Sequence, residues 1–397
     1  MLNVLIIGLF FVIGNLLAHP YGSRLRFQLF FYNVFCFFVF ISDCSVFFDF
    51  VSLDTGAAVF LLTVNFILFF VLSFVDLCVP VKAKSVSACG LSKFDYSIAS
   101  LLIVVVVVSI YYKLGDYSFL YIFHNILRDD FINAYLLYFL IFFSAFLFYN
   151  GKTKIDALLA VFCLFLCFLL GVKGIVLLIL LVYVIRLLDS NFEVDKKTKL
   201  KMLMVVVVGV ISFYSSYVVP RLLFENEDFF DIVYDINQRF IFYAASGVLS
   251  FSIDYTDGVN MNNFSSLYVP FYNGYLNLIE DGSDKVSYMV NLNKSIAASG
   301  TDSYSNVKTL YGTIYLNSGD HKTLNFAICF IFNAFLIVFR RRFNQRLKYT
   351  NSACTMYLAC LLISWFEYYY WHAFFLYGVI YAFLLDFWFY VVSYFKR

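Results

Sequence analysis

Charge is scarce in this chain, and that scarcity decides its class. Only 14% of the 397 residues are Asp, Glu, Lys or Arg. A globular protein carries roughly 25%, so the chain has too little polar surface to cover itself in water. Only four prolines occur. No Walker loop, Gly-x-Gly-x-x-Gly, Gly-x-Ser-x-Gly or His-Glu-x-x-His is present, which takes support from ATP-driven transport and the familiar hydrolases. None of the nine cysteines falls between Pro220 and Lys322, so the spacing excludes a disulfide-stapled ectodomain and argues against a thiolate metal site. Cys163 and Cys167 share a helix face but lie in an apolar run, where free Cys behaves as a small hydrophobe. The N-terminus has neither a basic n-region nor a small-residue cleavage site, so it does not read as a signal peptide.

What is present is apolar. Hydrophobic residues make up 62% of the chain and the mean hydropathy is +0.83, which implies an all-α, polytopic membrane protein. A span needs about 20 apolar residues, with about 17 as the lower limit. On that rule eleven spans are expected, at 2–18, 27–42, 57–80, 96–112, 132–149, 155–170, 172–187, 202–219, 323–339, 352–367 and 373–394. Lipid offers no hydrogen bonds to an open backbone, so each is expected to be helical. That includes the β-branched runs Val104–Val108 and Val205–Val208, which would favour strands in water. They do not alternate as barrel strands must.

The chain then divides into spans over 1–219, a polar block over 220–322 and further spans over 323–397. Alternate loops carry 19 of the 28 basic residues, among them Arg24, Lys82, Lys152, Lys197 and Arg341. By the positive-inside rule those loops are cytoplasmic. The N-terminus and the 103-residue block then lie outside, and the C-terminus inside. His124, His321 and His372 fall on the outer side, with Arg128, Lys173, Arg221 and Arg239.

Each candidate has a plain structural alternative. Arg239 and Tyr243 stand four apart on an amphipathic stretch over 228–251. A guanidinium fork suits a pyrophosphate, but an Arg239–Asp235 pair on a surface helix fits as well. His124 and Arg128 also share a face, either as a base beside a cation or as an interfacial anchor. Lys173 in the Gly171–Gly174 turn meets an anion or snorkels to the interface. The acidic run Glu225–Asp228 reads as a solvated entrance rather than a cation site. Between Asn306 and His321, Tyr311 and Tyr315 share a face, as do Asn306 and Thr309. Tyrosine faces with interleaved polar groups suit sugar; the same segment also suits a lid with no chemistry of its own.

The segment Asn306-Val307-Lys308-Thr309, followed by Tyr315 and Asn317-Ser318-Gly319, resembles the motif of bacterial oligosaccharide repeat-unit polymerases (Wzy-type O-antigen and capsule polymerases). There, an Asn-Val-Tyr-Thr-like run leads through a Tyr to an Asp-Phe-Gly-like run before a span. Gly171-Val172-Lys173-Gly174 looks like that family's Gly-x-Arg-Gly turn, and Arg239 with Tyr243 is similar to its Arg-to-Tyr pair. Lys173 stands for Arg, Lys308 for an aromatic, and Asn317-Ser318 for Asp-Phe.

The resemblance implies a GT-C-like, polymerase–ligase type of architecture in the bacterial cytoplasmic membrane. It implies a glycosyltransferase without cofactor, metal or nucleic acid, using undecaprenyl-pyrophosphate-linked donor and acceptor and working beside a flippase and a chain-length regulator. Arg239, Arg221, Lys173 and Arg128 would meet the pyrophosphate. Tyr243, Asn306, Thr309, Tyr311 and Tyr315 would meet sugar. For the base, His321 stands first, His124 second and Asp320 as a substitute acid, with His372 explained by anchoring. A flippase or other transporter of the same lipid-linked sugars, and an O-antigen ligase, are the competing classes.

The topology is directly testable. In a background without native cysteines, Ser283→Cys is expected to react with an impermeant maleimide on intact cells, and Lys197→Cys only after permeabilisation. The reverse pattern would invert the orientation.

Overall fold

The computed structural model describes residues 2–79, 90–114, 134–169, 173–190, scattered positions between 200 and 222, and then 228–259, 294–298, 304–305, 307–343, 347–365 and 373–395. Among the described residues, the continuous helices before the polar block are α1 (Leu2–Ala18), α2 (Arg26–Cys44), α3 (Thr55–Cys78), α4 (Lys93–Leu114), α5 (Ala134–Asn150), α6 (Lys154–Leu169) and α7 (Lys173–Ser190). The block holds α8 (Phe229–Thr256), the two-residue strands β1 (Lys294–Ser295) and β2 (Tyr304–Ser305), and α9 (Leu310–Asn317). It is followed by α10 (Lys322–Phe343), α11 (Lys348–Leu361) and α12 (Ala373–Phe395). The valine run Val104–Val108 lies inside α4, as expected from its apolar setting.

Among the described residues, four helices are long and apolar enough to cross a bilayer: Leu2–Gly22, Arg26–Phe48, Thr55–Cys78 and Gly319–Arg342. Leu136–Asn150, Val176–Leu188 and Tyr377–Val391 are apolar but shorter. Several such helices in one chain make it a multi-pass helical membrane protein. The stretch expected to form the eighth span, 202–219, lies largely outside the described residues.

The chain forms two compact units, each assembled from separate pieces of sequence. The first comprises Met1–Pro80, Asn237–Val338 and Cys360–Ala373. Here α1 and α2 approach closely because Gly14 has no side chain: a Cβ there would lie 2.2 Å from the Tyr32 ring. The Tyr32 hydroxyl donates to the Phe10 carbonyl at 2.7 Å. At one end Asn3 donates to Asp43 (2.7 Å) and to the Leu53 carbonyl (2.9 Å), and Thr55 donates to Asn3. At the other end Arg24 donates to the carbonyls of Asp76, Leu77 and Val79, closing the C-terminus of α3. The three helices therefore run up, down and up.

The polar block returns to the end that carries Asn3 and Thr55. The Val51 amide donates to the Ile296 carbonyl at 2.9 Å, and the Ala298 amide to the Asp49 carbonyl at 2.8 Å. Asp49 adopts a left-handed φ of 66° to make that turn, a conformation Asp tolerates better than most residues. The hairpin β1–β2 continues from this pairing, with Lys294 opposite Ser305. Asp54 then caps α3, its carboxylate accepting from the Ala57 amide at 2.9 Å.

The second unit comprises Val81–Ile236, Phe339–Ala359 and Phe374–Arg397. Its centre is α5, where residues 140–147 are all buried; a helix apolar on every side can be covered on every side. Polar groups appear at helix ends. Asp386 of α12 accepts from the Tyr349 and Thr350 amides at the start of α11 (3.3 and 2.8 Å). Asp95 accepts from Lys348 at 2.5 Å, from Ser92 and from the Tyr349 hydroxyl. Asp156 caps α6 through the Lys152 and Thr153 amides and also accepts from the Tyr96 hydroxyl. Cys163 and Cys167 are buried, and the described cysteines are free thiols.

Gly247 makes an approach as close as that of Gly14 in the first unit, here of helix to backbone. A Cβ there would stand 2.2 Å from the Trp365 carbonyl oxygen and 3.3 Å from the Lys308 backbone. Gly247→Ala is expected to destabilise the protein by about 1–3 kcal/mol through overpacking. Gly8→Ala, which meets nothing within 4 Å, is expected to be neutral or slightly stabilising. Thermal unfolding of the two variants in detergent makes the comparison.

Candidate functional site

Residues 307–322 are folded by local rules before they meet the rest of the first unit. Thr309 is extended and caps α9, its hydroxyl accepting from the Gly312 amide at 2.8 Å. The Leu310 amide donates to the Ser364 carbonyl. Gly312 lets the Phe251 ring press against the helix, since a Cβ there would come within 2.6 Å of it. These constraints turn the residue before the cap inward. That residue is Lys308, which is completely buried.

The Lys308 ammonium lies 2.6 Å from Asp254 Oδ2, and neither side chain reaches solvent. It also donates to the Ser250 carbonyl at 3.1 Å and to the Ser250 hydroxyl. The Ser250 hydroxyl donates in turn to the Ser305 carbonyl. Ser250 and Asp254 stand one turn apart on α8, so a single helix face supplies every partner of the lysine. The second Asp254 oxygen lies 3.3 Å from Lys294 of β1, which also binds Asp257 at 2.7 Å. The relay Lys308–Asp254–Lys294–Asp257 thus runs from the core to a half-exposed carboxylate and sums to zero charge. Burial holds the Lys308 pKa below the ordinary lysine value, against the pull of Asp254. Its hydrogen bond to Asp257 pushes the Lys294 pKa up.

Beside this relay stands an aromatic wall. The Tyr315 ring lies 4.8 Å from Phe60, 5.6 Å from Tyr255 and 5.9 Å from Phe251. The Lys322 ammonium sits 3.7 Å over the Tyr315 ring, a cation–π contact. Tyr255, Tyr315 and Lys322 are partly accessible. Between α9 and α10 a 3-10 turn, Gly319–His321, carries Asp320 and His321, both exposed. Apolar ring faces and a cation therefore come together at the end of the unit that holds the β1–β2 hairpin, and Asp320 and His321 directly precede that cation in sequence.

The expected site residues separate on this framework. Tyr315 belongs to the cluster, and Asp320 and His321 directly precede its cation in sequence. Tyr311 does not offer a face to a ligand: it is fully buried against Phe35, with its hydroxyl donating to Asn65 at 2.9 Å. Thr309 is likewise buried as a helix cap. Asn317 and Ser318 are buried and bonded to their own helix and to Asn325.

Arg239 and Tyr243 are exposed, one turn apart on α8. Arg221 pairs with Asp235 at 3.0 Å, the carboxylate that the helix-pair reading assigned to Arg239. Lys173 opens α7, with its side chain outside the described residues, as are Asn306, His124, Arg128 and His372.

Sequence reasoning did not find Asp254, Lys294, Lys308 or Lys322. The available signal was a lysine inside the apolar-flanked run Val307–Leu310, and the polar stripe Ser246–Ser250–Asp254–Asp257 at helical spacing. Among the described residues no group of His, Cys, Asp and Glu is arranged to hold a metal ion. No protein-family description, characterised protein or solved structure matches the chain.

Removing one partner of a buried ion pair strands the other charge, at about 3–5 kcal/mol. Lys308→Met and Asp254→Leu are each expected to lose stability on that scale. The double variant Lys308→Met/Asp254→Leu is expected to recover most of the loss, with Lys294 still held by Asp257. Thermal unfolding in detergent, read as a double-mutant cycle, measures the coupling.

Proposed function

We propose that this chain is a membrane glycosyltransferase that joins polyprenyl-pyrophosphate-linked oligosaccharide repeat units at the outer face of the bacterial cytoplasmic membrane. The observation that carries the reading is the Phe60–Tyr255–Tyr315 wall under Lys322, with His321 and Asp320 on the adjoining exposed turn. Ring faces of this kind pack on pyranose rings, and a lysine at their rim suits a negatively charged leaving group. The resemblance of residues 306–319 to the repeat-unit polymerases supports the same reading.

In this reaction His321 accepts the proton of the acceptor hydroxyl. The acceptor oxygen forms a bond to the donor's anomeric carbon, and the bond from that carbon to the pyrophosphate oxygen breaks. The bonding pair leaves with the lipid pyrophosphate, whose charge Lys322 meets; Arg239, about 24 Å along α8 from Tyr255, lies outside this cluster. Tyr315 and Tyr255 orient the sugar, while Tyr311 and Thr309 hold the segment that presents them. A flippase supplying the substrate and a regulator of chain length are the partners this activity requires.

The test is a deletion strain complemented with single variants and read as a surface-glycan ladder beside the protein level. A general base contributes typically about 10²–10⁴-fold. His321→Ala and His321→Gln are therefore expected to leave a single repeat unit on the acceptor at normal protein abundance. A full ladder from both variants would remove His321 from the chemistry. Loss of all surface glycan in the deletion strain would favour a flippase or ligase.

A further inference from the structure

We infer that the first half of α8, residues 229–241, lies in the plane of the membrane surface. In this arrangement Phe229, Phe230, Tyr234 and Phe240 enter the boundary between headgroups and acyl chains, and the neighbouring acidic edge faces water. The inference goes beyond the proposed activity and does not depend on it.

The surface itself is unusual. Phe229 is 51% exposed, Phe230 78%, Tyr234 65% and Phe240 42%, while Ile232 and Ile236 of the same half-helix are fully buried. At 3.6 residues per turn, Phe229, Phe230, Val233, Tyr234, Phe240 and Ile241 fall within about 140° of arc, which they share with the exposed Asn237. Asp228, Asp231, Asp235 and Gln238 occupy about 80° beyond one edge of that arc, and Ile232 and Ile236 lie beyond the other. The half-helix thus has three faces: one packed on protein, one aromatic and largely exposed, and one mostly acidic.

Two observations choose the bilayer as the occupant of the aromatic face. First, both stripes run along the helix axis. Three carboxylates spread over Asp228–Asp235 need water along that length, and the aromatic side chains beside them need an apolar phase along the same length. Only an axis parallel to a water–hydrocarbon boundary meets both needs, and Phe and Tyr suit that boundary. Second, Arg221 follows directly on the apolar stretch 202–219 and holds Asp235 at 3.0 Å. The half-helix is therefore tethered at the level where that stretch would leave the bilayer. The chain's four bilayer-length helices ensure that lipid is the apolar phase at hand.

The experiment is electron paramagnetic resonance on the full-length protein in nanodiscs of phosphatidylethanolamine and phosphatidylglycerol. The nine native cysteines are replaced and a single nitroxide is placed at position 230, 234, 231 or 238. Labels at 230 and 234 are expected to collide preferentially with oxygen, at a depth of about 5–10 Å below the headgroups. Labels at 231 and 238 are expected to collide preferentially with a soluble nickel chelate. Nickel preference at 230 and 234 would put the stripe in water, and shielding from both reagents would mean that protein covers it; either result overturns the inference.

If the cysteine-free chain does not fold, Phe230→Trp in the native sequence is used instead. Its emission is expected to be quenched by headgroup-proximal brominated lipid beyond the level of the parent's three tryptophans, and no added quenching is the overturning result. Neither measurement reads glycan synthesis, so failure here is separable from failure of the glycosyltransferase reading.

Discussion

A lysine ammonium taken fully out of water is the constraint around which the hairpin end of the first unit is arranged. Desolvating an ion costs several kcal/mol unless its partners are close and complete. Lys308 meets that demand with a carboxylate at 2.6 Å, a carbonyl at 3.1 Å and a hydroxyl. Every one of those partners lies on one face of α8, so α8 cannot rotate or slide without exposing the charge. Gly247 and Gly312 give the backbone the close approach this requires. The Thr309 cap fixes the direction from which Lys308 enters. The aromatic wall follows from the same geometry, because Tyr255 adjoins Asp254 and Tyr315 lies two turns along α9 from Thr309.

Polar groups elsewhere obey a related rule at lower cost. Lipid offers nothing to a free helix end, so ends must find partners within the protein. Arg24 closes three carbonyls of α3, and Asp386 closes two amides of α11 from a different helix. Asp156 and Asp54 cap their own helices. These contacts place charge where the backbone dipole already favours it, which is why buried aspartates in this chain are readable as structural groups.

The helical membrane class was legible because it depends on summed composition, and summed composition does not depend on which residues touch. Boundaries were legible for the first three spans, whereas the span expected at 352–367 is a helix over Lys348–Leu361. The expected spans at 2–18, 27–42 and 57–80 agree with α1, α2 and α3 to within two residues at each end. The roles of individual polar residues were not legible. Tyr311 and Tyr315 look equivalent one turn apart, yet Tyr311 is sealed against Phe35 and Asn65 while Tyr315 stands in the wall. Lys308 reads as a departure from a motif, and in the fold it is the most deeply buried cation among the described residues of the polar block.

Hydrophobicity and charge alternation along the chain were therefore enough to determine that this protein is a multi-pass helical membrane protein with a long polar block. Those properties sum over residues, and partition between lipid and water follows the sum. The identity of the site was decided only by tertiary structure. A carboxylate at 254, lysines at 294, 308 and 322, and rings at 60, 255 and 315 are separated by up to 262 positions in sequence. Nothing local marks them as neighbours. They become a site because a buried charge must be answered within hydrogen-bonding distance, and that requirement selects partners by position in space.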